Sequence, residues 1–237
     1  MKRIVLLTAF VFSFSNPAIQ NIIKNVTKAV TGSTSGSGLS NTEITKGLKE
    51  ALNVGTNNAT GAASKLDGFY KNPLIKIPFP KEAKDMEKQL RNVGMGKEVD
   101  KFTQSLNRAA EDAAKSAAPI FLQSIQKITI NDGLSILRGN NDAATQFLKN
   151  TSNAALMAAF KPIIQNSLNK VQVAKYWQPL TKTYNKIPFV KKMNPDLNQY
   201  VSDKAVEGLF KLIAQEELKI RKNPTARVND ILKKVFK

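Results

Sequence analysis

Two glutamates are the residues best placed to do chemistry. Glu111 closes the string Asn107-Arg-Ala-Ala-Glu111, and Glu217 ends Gln215-Glu216-Glu217 with Arg221 four residues on. Stepping along the apolar positions Phe210 and Ile213 lands on Glu217 and then Ile220. That puts a carboxylate on an inward stripe, where it is costly unless paired. Arg221 can pair with it locally, and Arg108, Arg138 and Arg227 are long-range candidates. Only six of the 36 basic residues are arginine, whose planar fork suits bidentate pairing better than lysine does. Asn107, Arg108, Glu111, Arg138, Glu217, Arg221 and Arg227 therefore form an expected buried polar cluster. Its plain reading is an ion-pair lock between helices. Its sharper reading is a pocket where Glu111 and Glu217 act as paired carboxylates, as in glycan cleavage.

A second constellation is a charge-lopsided stretch. From Ala143 to Pro195 there is no Asp or Glu, but there are Lys149, Lys161, Lys170, Lys175, Lys182, Lys186, Lys191 and Lys192, interleaved with Tyr176, Trp177, Tyr184 and Phe189. Lysines supply a field and rings supply contact area, a combination suited to lipid headgroups, lipopolysaccharide phosphates or acidic glycans. The expected binding set is Lys170, Lys175, Tyr176, Trp177, Lys182, Tyr184, Lys186, Lys191 and Lys192. The competing reading is a solvated face with its rings in the core. A third candidate is Asn140-Asn-Asp-Ala-Ala-Thr145, where Asp142 or Asn141 can cap a helix and exposed amides offer an anion site.

Other chemistries are excluded by residue type. The 237 residues include no Cys and no His. That removes disulfides, thiol nucleophiles, Ser-His dyads and the usual ligands of zinc, haem and iron–sulfur clusters. No acidic calcium loop and no glycine-rich phosphate or dinucleotide motif occurs. Gly61-Ala-Ala-Ser-Lys65 puts a Ser beside a Lys, a common dipeptide. No catalytic residue, metal or cofactor is assigned.

These residues need a scaffold, and the apolar periodicity supplies a helical one. Lys2 and Arg3 precede the apolar run Ile4–Phe12, and Ser13 and Ser15 place small residues before a cut at Asn16. This reads as a secretory signal peptide over 1–15, which predicts a soluble exported protein, periplasmic in a two-membrane bacterium. Export argues against nucleic acid as the natural partner, despite a net charge of +18. Residues 16–38 hold an amphipathic segment, Ala18–Val30, and a Gly/Ser linker. Residues 39–237 read as an all-α fold, a single compact multi-helix domain with Pro-kinked helices and short extended connectors. Ser40-Asn-Thr-Glu43 is a capping box for a first helix expected to falter near Gly55 or Gly61. Three prolines make Asn72–Pro80 an extended connector, echoed at Lys186-Ile-Pro-Phe189. Helices follow over Pro80–Val93, Lys97–Thr129 (kinked or split at Pro119), Asp132–Arg138, Asp142–Lys149, Thr151–Lys170 (bent near Pro162) and Ala174–Asn185. Pro195 opens a short helix to Tyr200, Ser202 caps the next, and Pro224 opens the last, to Phe236.

Several strings resemble a bacterial family of exported domains of unknown function, number 4197. They are Leu39–Leu52, Asn107–Glu111, Ile136–Gln146, Phe160-Lys-Pro-Ile163, Gly208-Leu-Phe210, Ile220–Arg227 and Lys233-Lys-Val-Phe236. Gly133 departs from the Ala expected after Asp132, which predicts a looser short helix there. The resemblance implies a signal peptide and one helical domain, and implies no activity. The leading expectation is thus a binding protein for anionic envelope components, with an anionic membrane surface or envelope polymer as partner. A carboxylate-dependent hydrolase of envelope polymers and a structural or assembly partner using the Ala-rich stripe at Ala109–Ala118 are the alternatives. Binding predicts Tyr176 and Trp177 partly exposed, hydrolysis a pocket around the glutamates, and assembly an uncovered apolar face.

Overall fold

The computed structural model describes residues 40–80, 83–170, 172–190 and 196–223, together with 225, 227, 233 and 235. The signal peptide, the amphipathic segment, the linker, Lys191, Lys192, Pro195 and most of the expected last helix lie outside the described residues. Eight helices are found among the described residues: α1 (Asn41–Ala63), α2 (Lys84–Asn92), α3 (Gly96–Ala114), α4 (Ala117–Gln126), α5 (Ile130–Arg138), α6 (Ala143–Lys170), α7 (Val173–Tyr184) and α8 (Leu197–Lys222). The fold is all-α.

At the centre is α3, which packs against α6, α7 and α8. Val99, Phe102 and Leu106 are fully buried, as are Ala109, Ala110, Ala113, Ala114 and Ala117. Small side chains over two turns let neighbouring backbones come close. The Ala-rich stripe is therefore spent inside the domain, and among the described residues it leaves no uncovered apolar face along α3 for an assembly partner. The helix breaks at Lys115 and Ser116, ahead of Pro119. That proline is the third residue of α4, in a first turn whose N–H groups have no intrahelical acceptor.

Helix α1 runs unbroken through Gly55 and Gly61, where the sequence predicted a falter. A Cβ on Gly55 would stand 3.4 Å from Cβ of Glu216 in α8. Packing on α8 thus holds a turn that glycine's low propensity would loosen. Helix α6 is also longer than expected, with 28 residues replacing the two shorter helices. Thr151 donates to the Phe147 carbonyl (2.9 Å) and Ser152 to that of Leu148 (2.5 Å). Their hydroxyls are satisfied within the helix and do not interrupt it. The buried residues Ala144, Leu148, Ser152, Leu156, Phe160, Ile164 and Leu168 recur strictly every four. Such a stripe winds about 40° around the axis per step, which lets one helix serve α8, α3, α4 and α7.

Two glycines mark close approaches. A Cβ on Gly133 would meet Oγ1 of Thr45 at 2.6 Å, so this glycine brings α5 against α1. The helix is not loosened, because Thr129 and Asp132 form a reciprocal capping box at its start. A Cβ on Gly208 would come within 2.8 Å of the Phe69 ring, so α8 needs glycine where the connector crosses it. Asp196 caps α8 by accepting from the Gln199 amide. Ser202 was the expected cap, but it lies inside the helix and donates to the Asn198 carbonyl at 2.7 Å.

Candidate functional site

The expected polar cluster divides into two. In the first, α3 grips the connector through residues one turn apart. The Asn107 side chain accepts from the Ile77 amide and donates to the Ile77 carbonyl, both at 2.8 Å. It also donates to the Thr103 carbonyl at 2.8 Å. A buried amide thus takes the part a neighbouring strand would play for an extended segment. Glu111 Oε1 accepts from the amides of Phe69 (3.1 Å) and Tyr70 (3.2 Å). Its other oxygen accepts from Arg108 at 2.7 Å, and Arg108 reaches Asp67 at 2.6 Å. The Arg108 guanidinium also lies 5.9 Å from the Tyr70 ring centroid. Asp67 has φ +66°, and its carboxyl is held below the usual range by Lys71 and then Arg108.

The second cluster spans the turn between α5 and α6. Glu217 accepts from the amides of Ala144 (3.0 Å) and Thr145 (2.8 Å) and from the Thr145 hydroxyl (2.8 Å). Arg221 donates to Glu217 at 2.9 Å and to the carbonyls of Ile136 (2.8 Å) and Leu137 (3.3 Å). A carboxylate thus closes the N-terminus of α6 while a guanidinium closes the C-terminus of α5, and each matches the local helix dipole. Glu217 does the capping expected of Asp142 or Asn141, and it fills the amides proposed as an anion site. Arg227 donates to the carbonyls of Ile220 and Arg221 and closes the end of α8. Arg138 is exposed and joins neither group.

The two glutamates line different cavities. The one at Glu217 holds about 20 Å³, room for a single water. The one at Glu111 is a cleft of about 300 Å³ between Arg108, Asp112, Lys115, Ser167 and Lys170. The paired-carboxylate pocket does not form, because the two glutamates line different cavities, and Glu111 holds two amides and Arg108 while Glu217 holds two amides, a hydroxyl and Arg221. Sequence reasoning missed Asp112, which accepts from Ser167 at 2.5 Å and pairs with Lys115 at 2.9 Å. Those two contacts, the hydroxyl first, depress its pKa. A third cleft of about 440 Å³ runs between α6 and α8, with Asp142, Asp203 and Glu207 facing Lys149 and Lys211. Among the described residues, no group of three or more Asp or Glu could hold a metal ion.

The lysine stretch splits by residue type. Val173, Trp177, Leu180 and Tyr184 form the buried side of α7. Trp177 stacks on Phe102 with centroids 4.7 Å apart and lies 5.9 Å from Phe79. Trp177 and Tyr184 therefore pin α7 to the core and cannot serve as contact residues, and Tyr176 is half-buried against the same core. The i, i+4, i+7, i+11 spacing of Val173, Trp177, Leu180 and Tyr184 carried that signal. The lysines go the other way: Lys149, Lys161, Lys170, Lys175, Lys182 and Lys186 are all exposed. Lys175 and Lys182, two turns apart, share the outward line of α7.

Residues 38–237 match the model of a family described as a protein of unknown function, DUF4197. The chain belongs to the DUF4197 family. No curated protein matches it, and no solved structure matches it. Several strings that carry the DUF4197 resemblance are spent on architecture. Asn107–Glu111 holds the connector, Ile136–Gln146 forms the turn closed by Glu217 and Arg221, and Gly208 admits the connector across α8. The lysines between 149 and 186 of the DUF4197 domain stand outside these contacts. None of the six exposed lysines between 149 and 186 makes an ion pair among the described residues. No helix among the described residues is long and apolar enough to cross a membrane.

Proposed function

We propose that this DUF4197 protein is an exported binding module for polyanionic surfaces of the cell envelope. It engages them through the lysines of α7 and its flanks. The observation that carries this reading is the segregation of charge. Six exposed lysines between 149 and 186 lie in a stretch with no carboxylate, whereas elsewhere in the domain lysines and acids are interspersed along the chain, and Lys71, Lys115, Lys204, Lys211 and Lys219 pair with acids. Lys149 and Lys170 share clefts with acids of other helices, which leaves Lys175, Lys182 and Lys186 on and beside α7 as the ammonium groups whose field is offered to a partner. With Trp177 and Tyr184 in the core, the contact is chiefly electrostatic.

The leader at residues 1–15 supports an envelope location, where lipid phosphates and acidic glycans are the abundant polyanions. The hydrolase alternative has less support, since Glu111 is held by two main-chain amides and Arg108, and Glu217 by two amides, Thr145 and Arg221. Co-sedimentation of the mature chain with anionic vesicles, lipopolysaccharide and neutral vesicles tests the proposal. Binding to the two anionic surfaces is expected at low salt, with affinity falling as salt rises through the range where the screening length drops below about 10 Å. Equal binding to neutral vesicles, or binding indifferent to salt, would contradict it.

A further inference from the structure

Lys-Ile-Pro-Phe occurs twice, at 76–79 and at 186–189, and the two copies have opposite fates. In the first, Ile77 is fully buried and Phe79 is 2% exposed, packed against Phe102 and Trp177. In the second, Phe189 is 107% exposed, more than any other large apolar residue among those described. Composition does not put this ring outside; the backbone does. Phe189 has φ +63°, a left-handed conformation disfavoured for any residue with a Cβ and uncommon for an aromatic. The turn is tied down on both sides. The Ile187 amide donates to the Tyr184 carbonyl at 3.0 Å, and Ile187 and Val190 pack against the core. Pro188 and Phe189 are left projecting between them.

We propose that Phe189 is a membrane-insertion tip. Its ring enters the boundary between headgroups and acyl chains of an anionic phospholipid bilayer, while Lys182 and Lys186 meet the headgroup phosphates. This rests on the polyanion-binding reading and names the bilayer as the partner. Two observations favour lipid over a protein groove. The charge along the chain on both sides of the ring is one-signed, since Lys182 and Lys186 precede it and no carboxylate occurs from 143 to 195. The apolar element is a single projecting ring and its proline, whereas a stable protein interface buries about 800 Å² per side. Lysines for headgroups and one aromatic for the interface suit the two layers a bilayer presents.

The test uses the mature chain and two variants, Phe189→Gly and Phe189→Trp. Partition is measured onto phosphatidylglycerol–phosphatidylcholine vesicles, with retention on immobilised heparin as a lipid-free polyanion. Glycine accepts φ +63°, so Phe189→Gly should keep or raise the melting temperature. Loss of the ring should weaken vesicle binding about tenfold to a hundredfold and leave heparin retention unchanged. Phe189→Trp should bind, and its added emission should shift to the blue on vesicles and be quenched by bromo-lipids. Unchanged vesicle affinity for Phe189→Gly, a fall in its melting temperature, or a Trp shift produced by heparin alone would overturn the insertion. Native binding to both supports would then leave the lysine surface standing. If the native chain binds neither support, both readings fall.

Discussion

Arg221 and Glu217 form the ion pair that settles two helix ends, the guanidinium at the end of α5 and the carboxylate at the start of α6. Arg221 was legible in the sequence as a partner for Glu217, because four residues on one helix face bring the two side chains together. Its carbonyl acceptors at Ile136 and Leu137 were not legible, since they come from a turn more than 80 positions away. The same limit applies to Asn107, whose partner Ile77 is 30 positions distant and offers only main-chain atoms, which carry no residue-type signal. Both residues yield predictions. Breaking a buried ion pair leaves an uncompensated charge, so Glu217→Gln and Arg221→Ala should each cost about 3–5 kcal/mol in denaturant unfolding. Their double variant should cost much less than the sum, because the two losses are one loss. Asn107→Leu strands the N–H and C=O of Ile77 and should cost about 2–4 kcal/mol. In native-state hydrogen exchange, the Ile77 amide should lose its protection in that variant.

Elements were legible wherever a helix keeps one inward face. The inward faces of α1, α3, α7 and α8 follow from apolar residues at three-to-four spacing, although α8 is one helix where a short helix to Tyr200 and a second from Ser202 were expected; the same spacing in α7 favoured the reading that puts its rings in the core. Where the buried face moves around the helix, single-face reasoning fails. The strict four-residue stripe of α6 distributes apolar side chains around the axis, so two short helices were expected instead of one long one. Glycine misled in the opposite sense. Gly55 and Gly133 read as weak points in isolation, yet each stands where another element comes close, and Gly208 does the same in α8. Gly208→Ala puts a Cβ 2.8 Å from the ring of Phe69, a fully buried side chain. It should destabilise the domain by about 1–3 kcal/mol, the usual cost of overpacking a core. A thermal melt checks this, and an unchanged transition would mean that α8 and the connector have slack to give.

At the scale of the whole molecule, acids and bases divide into a paired and an unpaired population. The paired set predicts the pH response. Lys204 and Lys211 hold Glu207 down to about 2 from an ordinary 4.5, and Asp67, Asp112 and Asp132 are also held below their usual values. A carboxyl depressed on folding stabilises the native state above its unfolded pKa and loses that contribution as pH falls to its folded value. With no histidine in the chain, stability should be flat from about pH 5 to 8 and then fall between about pH 4.5 and 2. Circular dichroism melts across that range would show it, and a transition centred near pH 6.5 would contradict it.

The lysines on and beside α7 carry the account's central claim, that they act by position and not merely by adding to the net charge. Comparing Lys175→Glu, Lys182→Glu, Lys186→Glu as one triple variant with Lys46→Glu, Lys84→Glu, Lys101→Glu as another tests it directly, because both change net charge equally. At about 1 kcal/mol for each lysine near an anionic surface, the first triple should lose at least two orders of magnitude in affinity for anionic vesicles, and the second should lose far less. Equal losses in the two triples would mean that only overall charge matters, and the claim would fail.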